Sequence, residues 1–138
     1  RYVGTELAGK TIGIIGFGTI GRLVAERCLG LKMRVLAHDP FVTPEAMKHI
    51  AAEPVTIDDL IHRADYITLH CPLTEGTRNV IAAPQIACMK KGVRLINCAR
   101  GGLIDEAALL DGLKSGHVAG AALDVYVKEP PSGSPTIS

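Results

Sequence analysis

The 138-residue sequence has no long hydrophobic run and no excess of charge of either sign. Its apolar stretches fall well short of the roughly 20 residues that a membrane-spanning helix needs. The chain does not open with the basic and apolar segment of a secretion signal. Its 15 basic and 14 acidic side chains leave a formal net charge of +1, which disfavours binding to nucleic acid or an anionic membrane. We therefore expect a cytoplasmic protein with neither partner.

Cysteine occurs at four positions, but not in a spacing typical of metal sites. Cys28, Cys71, Cys88 and Cys98 form no Cys-x-x-Cys pair and have no neighbouring pair of histidines. A metal site and a disulfide framework are both disfavoured. Reduced thiols in a cytosolic protein are the simplest interpretation.

A glycine-rich turn joins a strand-like segment to a helix-like one. The apolar run Thr11–Ile15 leads into Gly16-x-Gly18-x-x-Gly21, and a helical pattern follows. Gly16 would allow a tight turn, Gly18 would let a phosphate approach the backbone, and Gly21 would bring the helix close to the sheet. The N–H groups and positive dipole end of that helix attract phosphate. The sequence therefore predicts a dinucleotide-binding βαβ unit.

An acidic residue, Asp39, closes the next apolar run, which begins at Arg34. At this position a carboxylate accepts hydrogen bonds from the adenosine ribose hydroxyls and repels a 2′-phosphate. Pro40 and Phe41 come next, so no arginine stands there to bind the extra phosphate. The pattern favours NAD over NADP as the cofactor.

Strand-length apolar runs alternate with helical patterns, which is typical of a parallel sheet covered on both faces. We predict strands at Thr11–Ile15, Arg34–Ala37, Tyr66–Leu69, Arg94–Asn97 and Ala119–Leu123, with a short strand also conceivable near Pro54 and Val55. The predicted helices are Ile20–Leu29, Thr43–Ile50, Ile57–Arg63, Pro84–Met89 and Glu106–Lys114. The predicted fold class is α/β, a single domain built on a Rossmann-type doubly wound parallel sheet with helices on both faces.

Ligands of doubly wound sheets bind beyond the carboxyl ends of the strands, so residues at strand exits are candidates for chemistry. The exits of the last three predicted strands contain His70-Cys71-Pro72, then Asn97-Cys98-Ala99-Arg100, then Asp124 with Glu129 nearby. Arg100 lies between a strand and two glycines, where its planar fork can hold a carboxylate in two parallel hydrogen bonds. We expect a carboxylate-binding arginine at this edge of the sheet.

Over nearly the whole chain, these motifs resemble those of the D-isomer-specific 2-hydroxyacid dehydrogenases. The resemblance is carried by the glycine turn and by Gly4–Thr11, His70–Thr74, Lys90–Gly102, Gly120–Tyr126 and Glu129-Pro130. It implies an NAD-binding Rossmann domain of an oxidoreductase. The small-molecule substrate that it implies is a phosphorylated 2-hydroxy acid.

The resemblance also implies roles for individual residues. Arg100 would bind the substrate carboxylate and carbonyl, and Glu129 would pair with a catalytic histidine and raise its pKa. Thr19 and Ile20 would offer backbone amides to the pyrophosphate, and Asp124 would meet the nicotinamide carboxamide. The full set of predicted cofactor-binding residues is Gly16, Gly18, Thr19, Ile20, Gly21, Asp39, His70, Cys71, Pro72, Cys98, Ala99, Arg100 and Asp124.

In the family, the proton-transferring histidine follows a proline downstream of the Glu-Pro stretch. The chain contains no convincing substitute among its histidines, His38, His49, His62, His70 and His117. His70 comes nearest, because it leaves the sheet at the correct edge. Loss of a general acid commonly costs roughly 10²- to 10⁴-fold in rate. We therefore expect these 138 residues to bind NAD but to be nearly inert as a dehydrogenase.

The resemblance divides the chain into three parts. Residues 1–10 are expected to be a connection from a substrate domain, 11–129 the NAD-binding domain, and 130–138 a linker-like tail. A homodimer formed through this domain is a further expectation. Two alternatives within the same fold stay open: a hydroxypyruvate or glyoxylate reductase, and an NAD-sensing transcriptional corepressor of the C-terminal-binding-protein kind.

Overall fold

The computed structural model describes residues 7–97 and 99–123, within which six strands alternate with five helices. The strands are β1 (Thr11–Ile15), β2 (Arg34–His38), β3 (Glu53–Pro54), β4 (Tyr66–Leu69), β5 (Val93–Asn97) and β6 (Val118–Leu123). The helices are α1 (Thr19–Gly30), α2 (Pro44–His49), α3 (Ile57–Arg63), α4 (Ala83–Cys88) and α5 (Glu106–Ser115). Across these ranges, no helix has the length and apolar character needed to cross a membrane.

All six strands are parallel and lie in the order β3-β2-β1-β4-β5-β6. This order confirms the predicted doubly wound sheet, whose halves meet at the switch point between β1 and β4. The register pairs Ile15 with both His38 and Leu69, so the carboxyl ends of β1, β2 and β4 are level. The loops that leave these three strands therefore meet at one edge of the sheet.

Alternate side chains of the central strands feed two separate cores. Ile12 and Ile14 of β1 pack with Ala25 of α1 on one face, whereas Ile15 packs on the other face with Leu60 of α3. The side chains of α1 and α2 belong to the first core, and those of α3, α4 and α5 belong to the second. The sheet is therefore covered on both faces, as predicted. Full burial of each large aliphatic side chain in these cores contributes about 1.5–3 kcal/mol to stability.

Side-chain caps decide where several helices begin. The helix predicted over 43–50 is shorter at both ends, because Thr43 lies before it as a cap and Pro44 is its first residue. The Thr43 hydroxyl accepts a hydrogen bond from a backbone N–H three residues later, at 3.1 Å. Thr56 caps α3 and Asp105 caps α5 in the same way, which confirms the predicted helix starts.

Asp65 joins three strands at the amino edge of the sheet, opposite the glycine turn. Its carboxylate accepts the Thr11 N–H at 2.9 Å and pairs with the Lys90 ammonium at 2.7 Å. Its backbone carbonyl accepts the Arg94 N–H. Burial alone would raise the pKa of Asp65, but the hydrogen bonds from Lys90 and Thr11, with the Lys90 charge, outweigh it and lower that pKa.

The lowered pKa of Asp65 predicts a pH-dependent contribution to stability. A carboxyl group whose pKa is depressed by folding stabilises the protein above its unfolded pKa, and this contribution is lost as the pH falls through the folded pKa. We expect Asp65→Asn to be less stable than the parent chain at neutral pH, with a gap that closes below about pH 4. Urea unfolding across this pH range measures the gap. The exposed Asp111→Asn is the control, and an equal gap at every pH would contradict the prediction.

Gly13, in the middle of β1, leaves no room for a side chain. A Cβ atom there would lie 2.5 Å from Cγ of Leu60, which is fully buried. We expect Gly13→Ala to lower the free energy of unfolding by about 1–3 kcal/mol, because overpacking forces buried neighbours to move. Gly30→Ala is the matched control, since a Cβ at that helix end meets nothing within 4 Å. Equal urea midpoints for the two variants would show that the Leu60 side chain can move aside at little cost, which would contradict the prediction.

Candidate functional site

The glycine turn after β1 is wedged between the ends of β2 and β4. Gly16 has φ 98°, a left-handed conformation that favours glycine. Its N–H donates to the His38 carbonyl at 2.9 Å. A Cβ atom on Gly16 would lie 2.5 Å from the backbone N of Cys71. A side chain at this position would therefore push the turn out of the crevice between the two strands.

The other two glycines serve different surfaces of the turn. A Cβ on Gly18 would meet nothing within 4 Å, so this position faces open space. By contrast, a Cβ on Gly21 would collide with the Gly16 carbonyl oxygen, so close packing of α1 onto the turn requires glycine there. Gly18 provides no side-chain cap for α1, and Thr19 and Ile20 are exposed at the start of the helix. The N–H groups of the first turn have no intrahelical partner and can bind a diphosphate.

Asp39, at the end of β2, is hydrogen-bonded to the glycine turn. One carboxylate oxygen accepts the Phe17 N–H at 2.8 Å, and the other accepts the Phe41 N–H at 2.8 Å. An ionised carboxylate can accept about four hydrogen bonds. Asp39 therefore keeps acceptor positions for a ribose diol while it holds the turn in place.

A cavity of about 340 Å³ lies between the ends of β1 and β2 and the loop that follows β4. Four of the predicted residues line it: Gly16, Asp39, Cys71 and Pro72. Its volume is within the roughly 300–1,000 Å³ of small-molecule sites. The open position at Gly18, the helix end and this largely apolar cavity together fit the parts of a dinucleotide: a diphosphate, a ribose and a flat base.

Sequence reasoning missed several residues that line the cavity. These are Phe41, Ile57, Thr74, Gly76, Thr77 and Val80. The Thr77 hydroxyl donates to the Pro72 carbonyl at 2.7 Å and accepts the Thr74 N–H at 2.7 Å, which shapes the loop after β4. The Thr-x-x-Thr spacing directly after a strand exit was the available signal for this loop. Ile57, at the start of α3, carried no such signal.

His70 and Cys71 leave β4 beside the glycine turn. His70 is half-buried, and its Nε2 lies 2.9 Å from the Thr68 hydroxyl. Burial lowers the pKa of His70, so the ring is uncharged at neutral pH and is a poor proton donor. Cys71 is buried, and burial raises the pKa of its thiol, which keeps it protonated and unreactive. Within the described ranges, no cluster of three metal-ligating side chains occurs.

Arg100 is exposed in the loop after β5 and is followed by the buried glycines Gly101 and Gly102. Within the described part of the chain, its guanidinium forms no ion pair. Ala99 precedes it and is half-buried. The other predicted site residues, Cys98, Asp124 and Glu129, lie outside the described residues.

Asn97, the last residue of β5, was placed at a strand exit by the sequence analysis but was given no role there. The residue is only 2% exposed. The amide oxygen accepts the Ala99 N–H at 3.0 Å, and the amide nitrogen donates to the Arg100 carbonyl at 2.9 Å. A polar residue closing an apolar strand, just before the arginine, was the signal that could have identified it.

Comparison with known proteins identifies this arrangement. The model of the D-isomer-specific 2-hydroxyacid dehydrogenase NAD-binding domain matches residues 1–138. A D-3-phosphoglycerate dehydrogenase of Bacillus subtilis (strain 168) is 55% identical over 130 residues, which cover 94% of this chain and 25% of that relative. The chain thus spans only a small part of the length of this curated relative.

Solved structures show the same domain within larger chains. The pyruvate reductase of Chlamydomonas reinhardtii is 43% identical with a TM-score of 0.84, and the match covers 89% of this chain and 36% of that one. A glyoxylate reductase from Paecilomyes thermophila is 41% identical with a TM-score of 0.83, and the match covers 91% of this chain and 38% of that one. The chain belongs to the family of D-isomer-specific 2-hydroxyacid dehydrogenases, and it is an NAD-binding domain of that family.

Proposed function

We propose that the chain is the coenzyme-binding domain of a D-3-phosphoglycerate dehydrogenase. Such an enzyme oxidises 3-phospho-D-glycerate to 3-phosphohydroxypyruvate with NAD, in serine biosynthesis. The observation that carries the proposal is the 55% identity to the Bacillus subtilis enzyme over 94% of this chain. The glycine turn, Asp39 and Arg100, which all follow the carboxyl ends of strands, support the chemistry.

The coenzyme part of the proposal assigns one group to each part of NAD. The N-terminus of α1 and the open position at Gly18 hold the diphosphate. Asp39 accepts hydrogen bonds from the adenosine ribose, and the cavity beside it takes the adenine. Bound NAD would supply a hydride acceptor for C2 of the substrate, and the proton of the substrate hydroxyl would pass to a base.

The substrate part of the proposal rests on Arg100. Its guanidinium binds the substrate carboxylate with two parallel hydrogen bonds and stabilises the charge that develops on the neighbouring oxygen. Asp124 and Glu129 keep the roles implied by the family, next to the nicotinamide and to a catalytic histidine. A homodimer through this domain and a cytoplasmic location stay predictions.

The histidines of the chain favour structural roles. The rings of His38, His62 and His117 hydrogen-bond to the backbone carbonyls of Val55, Asp58 and Met89. Each bond fixes the tautomer and leaves the other ring nitrogen unprotonated, so the location of the ring decides its role. His62 lies in the last turn of α3 and His117 just before β6, both towards the amino edge of the sheet and away from Arg100. His38 ends β2, which two strands separate from β5. We therefore propose that the proton-transferring group of the enzyme is not among these side chains, and that the 138 residues alone show little turnover.

A second candidate is a glyoxylate or hydroxypyruvate reductase with the same chemistry. The 41% identity to a glyoxylate reductase of known structure, with a TM-score of 0.83, favours it as the runner-up. The two candidates differ in substrate. The relative activities of the enzyme that contains this domain, measured with 3-phosphoglycerate and with glycerate, would therefore distinguish them.

Calorimetry with NADH and NADPH tests the coenzyme part of the proposal. We expect NADH to bind at least about 10-fold more tightly than NADPH, a difference of ~1.4 kcal/mol, because Asp39 opposes the 2′-phosphate. Equal affinities would shift the balance towards a reductase that uses the phosphorylated coenzyme. Binding of neither would contradict the proposal. An assay of 3-phosphoglycerate oxidation belongs beside it, and robust turnover by the 138 residues would refute the expected inactivity.

Gly18→Ala separates coenzyme binding from folding. Because a Cβ at this position meets nothing within 4 Å, the variant should fold, with a loss of stability of at most about 1 kcal/mol, since Gly18 is the N-cap of α1 and alanine is a poorer N-cap than glycine. We expect its NADH dissociation constant to rise by at least about 10-fold, since the methyl group occupies the space in which the diphosphate approaches the backbone. Gly30→Ala, equally unobstructed, should bind NADH normally. An unchanged NADH affinity in Gly18→Ala would place the diphosphate elsewhere.

A further inference from the structure

We propose that Asn97 is a positioning residue for Arg100, which it holds in the orientation needed to receive a carboxylate. This inference rests on the proposed role of Arg100 in substrate binding. Asn97 itself ends β5 and is buried, so it does not meet the substrate. Its action is on the backbone of the loop that carries the arginine.

Both halves of the Asn97 amide are used on this loop. The oxygen accepts the N–H of Ala99, and the nitrogen donates to the carbonyl of Arg100. An amide is the side-chain group that supplies a donor and an acceptor from one planar unit, whereas a carboxylate only accepts and an aliphatic group does neither. The two bonds tie the Ala99 N–H and the Arg100 carbonyl to one side chain, so the backbone is held both before and after the Arg100 Cα atom.

The other end of the loop is held in a different way. The Gly102 carbonyl accepts the Asn79 N–H at 2.7 Å, and the Leu103 carbonyl accepts the Ile81 N–H at 3.1 Å. Gly102 has φ 90°, a left-handed conformation that favours glycine and lets the chain turn back between Arg100 and Leu103. Backbone bonds therefore anchor the loop after Arg100, and the side chain of Asn97 anchors it before.

The exposed Arg100 needs this support. Among the described residues, it has no ion pair that would orient its guanidinium. A two-pronged hydrogen bond to a carboxylate requires the fork to lie in one plane with its partner. With a long and flexible side chain, that geometry is reached most often when the backbone from which it projects is rigid. The fixed loop thus reduces the conformational entropy that Arg100 and its backbone must lose when substrate binds.

The test uses the ¹⁵N-labelled chain saturated with NADH, with oxalate as the probe. Oxalate offers a carboxylate beside a second oxygen, as a 2-oxo acid does. We expect Asn97→Ala to raise the oxalate dissociation constant by at least about 5-fold and to change that of NADH by less than about 2-fold, as expected for loss of a hydrogen-bonded contact. Arg100→Lys is the positive control. Asp65→Asn, at the opposite edge, controls for loss of stability alone.

Asn97→Asp adds a second measurement, the pH dependence of oxalate affinity, which would not change if Asn97 had only a structural role. A protonated carboxyl group can donate to the Arg100 carbonyl as the amide does, whereas an ionised one only accepts. Burial raises the pKa of such a carboxyl group above about 4, so oxalate affinity should fall as the pH rises through it. Oxalate also ionises in acid, so the parent chain and Asn97→Ala should show only the rise in affinity that follows formation of the oxalate dianion, without the later fall.

The outcomes separate the two proposals. If Arg100→Lys weakens oxalate binding but neither Asn97 variant does, the positioning role is overturned and the proposed function stands. Oxalate affinity that is unaffected by Arg100→Lys, or too weak to detect in the parent chain, counts against the carboxylate role of Arg100. In that case, exchange of the Ala99 amide hydrogen still tests the loop: unchanged exchange in Asn97→Ala overturns the positioning role.

Discussion

The lack of space at Gly16 is the constraint on which the coenzyme site depends. The parallel register makes β1, β2 and β4 end at the same level, so the chain leaving β1 must turn between its neighbours. A left-handed glycine makes that turn against the backbone of Cys71, and Gly21 then allows α1 to pack onto it. This close approach directs the N-terminus of the helix towards the crevice, where an anion gains both unpaired N–H groups and the helix dipole.

Local patterns were sufficient to predict most of the fold. The alternating apolar runs and capping residues such as Asp105 act over a few neighbours, so the printed sequence contains them directly. The cavity is different, because Ile57 begins α3 and Val80 lies in the loop before α4, and both line it only through tertiary packing. Asn97 was given no role for a related reason: its amide bonds to Ala99 and Arg100 nearby, but only the structure shows those bonds and its burial.

The two edges of the sheet have different roles: the amino edge contributes to stability, and the carboxyl edge carries the ligand-binding groups. At the amino edge, Asp65 is held by Thr11 and Lys90, so its charge is used within the protein. At the carboxyl edge, Gly18 and Arg100 remain exposed, and the residues that support them are buried or hydrogen-bonded. A sheet built this way keeps its binding groups accessible without leaving the strands beneath them loose.

The two hydrogen bonds accepted by Asp39 have a consequence for redesign of coenzyme preference. Removing this carboxylate to admit a phosphorylated ribose would also leave the partly buried main-chain N–H of Phe17, inside the glycine turn, without its acceptor, whereas the exposed N–H of Phe41 could bond to water. A basic residue introduced nearby would attract the added phosphate but could not accept either N–H. Successful conversion of this domain therefore demands a neutral acceptor, such as a serine or asparagine oxygen, together with the new cation.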